Sequence, residues 1–184
     1  KNDMKYYSVS DAFKSLVVVD STAARFIVEP LLKRDSHNDV IRKSAITYFG
    51  SVINDNNYDR LVELSEYGGT SWDSRAEAVR QLGKYAKDKP ETLEIFVKLL
   101  KDKSRDVRRN SVRMIGSYGN KKNIGDLDEV LAMDPIISRD VRNAKKRILS
   151  SSKNSLKKGI EEELEENKKI LIDIQKLIKY KGAN

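Results

Sequence analysis

The chain has no cysteine and a single histidine, His37. Those two counts exclude disulfide scaffolds, thiol nucleophiles, Cys or Cys/His zinc sites and any metal site that needs two imidazoles. Long apolar runs are also missing. The longest, around Leu16-Val17-Val18-Val19, falls far short of the ~18 residues that a membrane span requires. No charged-then-apolar leader opens the chain, so a cytoplasmic location is expected. No stretch alternates with period two among strand-forming residues, which argues against a sheet. A glycine–aromatic RNA-binding signature is likewise absent.

What is present is charge. Charged residues make up 35% of the 184 and hydrophobic ones 39%, enough apolar material for a core beneath a heavily solvated surface. Lys and Arg total 36 against 28 Asp and Glu, a net charge of +8. Such a balance fits nucleic acid, an anionic surface or an acidic protein as partner, and equally an ordinary charged helical exterior. From Lys153 onward 8 basic residues face 6 acidic ones, so the excess is spread along the chain.

The chain also repeats. Arg42, Arg75 and Arg108 stand 33 residues apart, and Arg142 follows after 34. Asp73, Asp106 and Asp140 lie two residues before the last three, while Asp39 is one residue further back from the first. Three positions beyond each arginine come Ala45, Ala78, Ser111 and Lys145; four beyond come Ile46, Val79, Val112 and Lys146. Seven beyond come Phe49, Leu82, Ile115 and Leu149, and eight beyond come Gly50, Gly83, Gly116 and Ser150. Three copies agree throughout and the fourth decays.

Positions +3, +4 and +7 share one face of an α-helix, where small residues let a neighbouring helix approach. The glycine at +8 is expected to reverse the chain at the helix end. The aspartate is expected to cap the helix or charge its first turn. Arg42, Arg75, Arg108 and Arg142 with Asp39, Asp73, Asp106 and Asp140 read as a structural ladder in which each arginine reaches back toward the aspartate of an adjacent repeat. Identical residues at identical repeat positions mark a structural role rather than catalysis.

Second amphipathic segments over 22–32, 58–67, 91–100 and 124–133 alternate with the arginine segments. Pro90-Glu91 opens one of them, and Pro30 should kink or end another. Asn54-Asp55-Asn56-Asn57, Tyr67-Gly68-Gly69-Thr70 and Lys87-Asp88-Lys89 read as turns. The fold class is therefore all-α: an α-α superhelix, a solenoid of about four helix pairs over residues 1–152. A helix over 6–19 stands alone at the front. Since stacked repeats bury their faces only against neighbours, it is either an unusual cap or, as favoured here, the continuation of a longer protein.

After Ser150-Ser151-Ser152 the pattern changes, and residues 153–184 form a second segment, one long helix over 154–180. Leu156, Ile160, Leu164, Leu171, Ile174 and Ile178, with Asn167 in step, make a heptad-like seam. Glu161-Glu162-Glu163 and Glu165-Glu166 precede Lys168-Lys169, an order favourable to the helix dipole. The helix either folds back to cap the last repeat or pairs with a copy of itself or a partner, with Asn167 setting the register. The chain is then a monomer or a homodimer through this helix.

The arginine signature resembles HEAT-type repeats of the armadillo-like class. Arg105-Asp106-Val107-Arg108-Arg109-Asn110-Ser111-Val112-Arg113-Met114-Ile115-Gly116 carries it best. The stretch Asp35-Ser36-His37-Asn38-Asp39-Val40-Ile41-Arg42-Lys43-Ser44-Ala45, with Leu31-Leu32-Lys33-Arg34 before it, resembles the start of the C-terminal HEAT-like region of microbial gluzincin zinc aminopeptidases. That resemblance implies a non-catalytic domain that limits access to an active site. The family's H-E-x-x-H zinc motif and its Gly-Ala-Met-Glu-Asn loop are not in this chain. No cofactor is expected here, and zinc is expected only in an upstream catalytic domain.

Three functions follow as expectations: that aminopeptidase domain, a free-standing protein-binding adaptor, or a nucleic-acid-binding solenoid whose affinity falls with salt. Positions one, five and nine beyond the arginines point away from the core and include Lys43, Arg80, Lys84, Arg109, Arg113 and Arg147. They form a candidate basic strip for an acidic peptide or domain, although a solvated helix face explains the same residues. His37 is expected in a solvated turn. Trp72, beside Asp73, is expected as an inter-repeat packing anchor; the pair also resembles the aromatic and acidic residues of HEAT-fold DNA glycosylases.

Overall fold

The computed structural model of the chain describes residues 3–181, with side chains described over residues 5–172. Among these residues there is no strand, and nine α-helices follow one another: α1 (Asp3–Val19), α2 (Ser21–Leu32), α3 (Val40–Phe49), α4 (Asp55–Ser65), α5 (Trp72–Leu82), α6 (Thr92–Leu99), α7 (Arg105–Tyr118), α8 (Ile124–Met133) and α9 (Ser138–Lys181). Local chemistry opens them. The Asp20, Asn54 and Ser71 side chains accept the backbone N–H of Ala23, Asn57 and Ser74, occupying donors that the first helical turn leaves free. Pro30 lies inside α2, which ends two residues later at Leu32.

The odd-numbered helices form one layer, with α1 packed on α3, α3 on α5, α5 on α7 and α7 on α9. The even-numbered helices lie alongside, α2 and α4 against α3, α4 against α5, α6 against α7 and α8 against α9. This is a stack of antiparallel helix pairs, an all-α superhelix closed by one long helix. Its core follows the repeat spacing. Ala45, Ile46, Phe49, Ala78, Val79, Leu82, Ser111, Val112 and Ile115 are all buried. Between the layers they join Leu61, Phe96 and Leu127, each fully buried.

Several expectations need correction. The glycines at +8 do not reverse the chain. Gly50 and Gly83 keep right-handed backbone angles, φ −88° and −55°, and Gly116 lies inside α7. Each sits instead where the next repeat crosses closely. A β-carbon on Gly50 or Gly83 would run into the side chain of Gln81 or Met114. One on Gly116 would come within 2.6 Å of the Ala144 Cα, a backbone atom that cannot step aside.

The fourth repeat also keeps the 33-residue period rather than stretching to 34. Its buried stripe is Val141, Ala144 and Ile148, so Val141 takes the place of the arginine. Arg142 is rotated off that stripe and is exposed. The decay at Lys145, Lys146 and Leu149 is thus partly a matter of register.

Helix α9 runs through Ser150-Ser151-Ser152 without a break, so the change of pattern at 152/153 falls inside one element. From Lys153 to Ile172 every residue is exposed. This stretch of α9 does not fold back over the last repeat.

Candidate protein-interaction surface

The repeating arginines close the ends of the second-layer helices. Arg42 Nε donates to the Leu32 carbonyl at the end of α2 (2.7 Å), and Arg75 Nε to the Ser65 carbonyl at the end of α4 (3.3 Å). Arg108 donates to the Asp102 and Lys103 carbonyls just beyond α6 (2.7 and 3.0 Å). Carbonyls at a helix C-terminus lack intrahelical partners and carry the negative end of the dipole, so a guanidinium satisfies both at once.

The same guanidinium groups then reach forward, not back. Arg75 pairs with Asp102 of the next repeat, a contact in which both side chains are almost wholly buried, and Arg108 pairs with Asp134. Asp134 also takes Arg105 Nε at 3.1 Å. Arg42 stays within its own repeat, on Asp39 (2.6 Å) and Asp35 (2.8 Å). Asp39 carries the link onward by accepting from the Ser71 and Ser74 hydroxyls at the start of α5. The second repeat has Gly68-Gly69 where the others have a loop aspartate, which leaves Arg42 without a forward partner.

Burial raises the Asp39 carboxyl pKa, but hydrogen bonds from Ser71 and Ser74 and the charge of Arg42 outweigh it and hold the pKa below the ordinary value. The hydrogen bond from Arg108, opposed by burial and helped by Arg105, holds Asp134 low in the same way.

The odd-numbered layer also turns a charged face outward, and here the six predicted strip residues separate. Lys43 pairs with Asp73 of the next repeat. Arg80 pairs with Glu77 on its own helix (2.5 Å), and Glu77 also accepts from Thr47 of the preceding repeat (3.2 Å). Arg109 and Arg113 both meet Asp140, at 3.2 and 2.9 Å. Among the described residues, Arg147 reaches only the Ser117 hydroxyl, at 3.4 Å. Lys84 is exposed and has no carboxylate partner among the described residues. Partial burial and the Arg80 charge hold its ammonium below the ordinary lysine range, offset in part by Glu77. The strip is therefore a set of rungs crossing from repeat to repeat, with its least neutralised charge at Lys84 and Arg147.

Residues 59–146, from α4 into the first turns of α9, match the family of HEAT repeats. No curated protein and no solved structure matches the chain.

On the far side, a cleft of about 270 Å³ lies between α6 and α8. Val97, Leu100, Val130 and Met133 line it together with Lys101, Asp126 and Glu129. His37 is exposed in the 3-10 turn before α3, beside Asn38 and Asp39, whose φ angles are +51° and +52°. Trp72 is 57% exposed at the start of α5, which does not fit a packing anchor. Among the described residues no group of three His, Cys, Asp or Glu is placed to hold a metal ion. No helix among them is long and apolar enough to cross a membrane.

Asp102 and Asp134 were not among the sequence-derived ladder residues, although a signal exists. Asp35, Asp102 and Asp134 stand 7, 6 and 8 residues before Arg42, Arg108 and Arg142.

Proposed function

We propose that this chain is a non-catalytic scaffold whose HEAT stack binds protein through the outward face of α3, α5, α7 and α9. The observation that carries the reading is the way side chains on that face bond across about one repeat, Lys43 to Asp73 and Arg113 to Asp140. Such cross-links make equivalent helices one preorganised surface rather than four mobile ones, and preorganisation lowers the entropy lost on binding. Its excess charge favours an acidic peptide or an acidic face of another domain. Arg80 and Arg113 already hold Glu77 and Asp140, so reversing them would confound binding with packing. Lys84→Glu with Arg147→Glu is the cleaner test. A fluorescent acidic peptide should bind the natural chain and lose at least tenfold in affinity on the double variant; equal affinity removes the strip. Tighter binding of a single-stranded oligonucleotide, falling steeply between 50 and 200 mM salt, would establish the nucleic-acid reading instead.

The finer reading makes this scaffold the C-terminal domain of a zinc aminopeptidase, guarding access to an active site whose zinc another domain would hold. It is supported by the residues at 31–45. The reading frame upstream of Lys1 tests it: an H-E-x-x-H motif there supports it, and a start codon at or near Met4 overturns it.

A further inference from the structure

Beyond the HEAT stack, α9 carries an apolar stripe that the body leaves uncovered. Ile160, Leu164 and Leu171 are 58%, 53% and 57% exposed, and Asn167 falls in step with them. Their spacing of 4, 3 and 4 residues is that of alternating core positions in a coiled coil, with Leu164 and Leu171 at a and Ile160 and Asn167 at d. At about 100° per residue the stripe lies roughly a third of a turn from Val141, Ala144 and Ile148, which face the rest of the stack. Ile160, the first of these residues, borders an open groove against Gly119, Asn120 and Lys121 of the stack, while Leu164 and Leu171 lie beyond it.

We propose that the occupant is the same stripe of further copies of this chain, parallel and in register. Two features choose this arrangement. In parallel register Asn167 meets its own counterpart, so each amide finds a hydrogen-bond partner. Glu163, at g, then meets Lys168 of the neighbouring copy, at e, and no like charges oppose at those flanking positions. An antiparallel pairing can also match charges by setting Glu161 against Lys168. It leaves Asn167 against Leu164, an amide buried without a partner. An antiparallel pairing one heptad along sets Asn167 against Leu171 and Lys168 against Lys168. Of these three, only the parallel arrangement satisfies both the Asn167 amide and the charges that flank the stripe. Lys168 is held at 2.7 Å by Glu165 of its own helix, and this exposed contact competes only weakly. Leu at a with Ile at d is the order that favours more than two strands.

This inference does not depend on what the HEAT face binds. Light scattering on the full chain should give a multiple of the 21.0 kDa chain mass. Leu164→Asp should return it to one chain mass with its helical circular dichroism retained. A single mass for the natural chain at 100 µM, or an unchanged multiple for Leu164→Asp, overturns the proposal. Orientation is read separately. The chain has no cysteine, so Lys153→Cys introduces one thiol, at the d position one heptad before Ile160. Parallel copies bring these thiols together, and mild oxidation should cross-link them in high yield. An assembly that stays associated but does not cross-link would be antiparallel and would overturn the register argued from Asn167.

Discussion

The two sides of the odd-numbered layer use the same chemistry under opposite conditions. Inside, Arg75 and Asp102 have side chains 4% and 5% exposed. Outside, Arg80 is 56% exposed on Glu77 and Arg113 is 49% exposed on Asp140. Inside, each guanidinium is fixed by carbonyls, and losing it strands a carboxylate without water. Outside, the carboxylates Glu77 and Asp140 are only 14% and 16% exposed, but each keeps a second donor, Gln81 or Arg109, when its half-exposed arginine is removed. Burial, rather than the number of ion pairs, therefore decides which arginines hold the stack together and which are free to meet a partner.

The largest effect should come from breaking the inner side. Arg75→Ala leaves Asp102 charged and buried and strips the Ser65 carbonyl, for an expected loss of about 3–5 kcal/mol measured by urea unfolding. Replacing the pair together, Arg75→Met with Asp102→Leu, should recover most of that loss, because well-packed apolar residues can stand in for a buried ion pair. A double variant no more stable than Arg75→Ala would mean that the carbonyl contact, not the ion pair, is what matters.

The glycines at +8 sharpen the comparison at the same helix crossings. Gly116→Ala pushes a methyl group into the α9 backbone at Ala144 and should cost about 1–3 kcal/mol. Gly83→Ala meets the flexible end of Met114 and should cost clearly less. Equal losses would show that the glycines act through backbone freedom after all.

Those glycines also show what the sequence discloses and what it hides. A 33-residue period with small and apolar residues at +3, +4 and +7 is enough to place the helices, because the period of burial is written in residue type. Ile124–Met133 is the clearest case, its helix beginning and ending where its pattern does. The partners of the arginines are hidden because they sit in loops. The aspartate precedes its arginine by 6 to 8 residues as loop length changes, and it is missing at Gly68-Gly69. A search at fixed spacing therefore settles on Asp73, Asp106 and Asp140, which face outward. For the same reason Arg142 passes for a fourth rung, although only the packing of Ala144 against Gly116 reveals that Val141 holds the place.

Acid should weaken the inner side first. Asp39 and Asp134 have pKa values held below the ordinary carboxyl value, so their stabilisation is complete above about 3.9. It is lost as pH falls from there through the lowered folded values. Asp134→Asn should lower stability at pH 7 and leave a shallower loss between pH 4 and pH 2, read as the change in urea midpoint. A parallel shift of the whole curve would mean that Arg108 and Arg105 do not set the titration.

The smallest effects should come from the outer strip, and their smallness is the point. Arg80→Ala and Arg113→Ala should each change stability by less than about 1 kcal/mol, since the guanidinium groups are half exposed, Thr47 and Gln81 still donate to Glu77 and Arg109 still holds Asp140. Salt separates the two sides more sharply than magnitude does. Charges open to solvent are screened within about 3 Å at 1 M ionic strength, whereas buried pairs are screened far less. Any loss from Arg80→Ala should vanish at 1 M NaCl while the loss from Arg75→Ala persists. If both vanish together, Arg75 and Asp102 are reached by solvent, and the inner ladder is no more than a second charged surface.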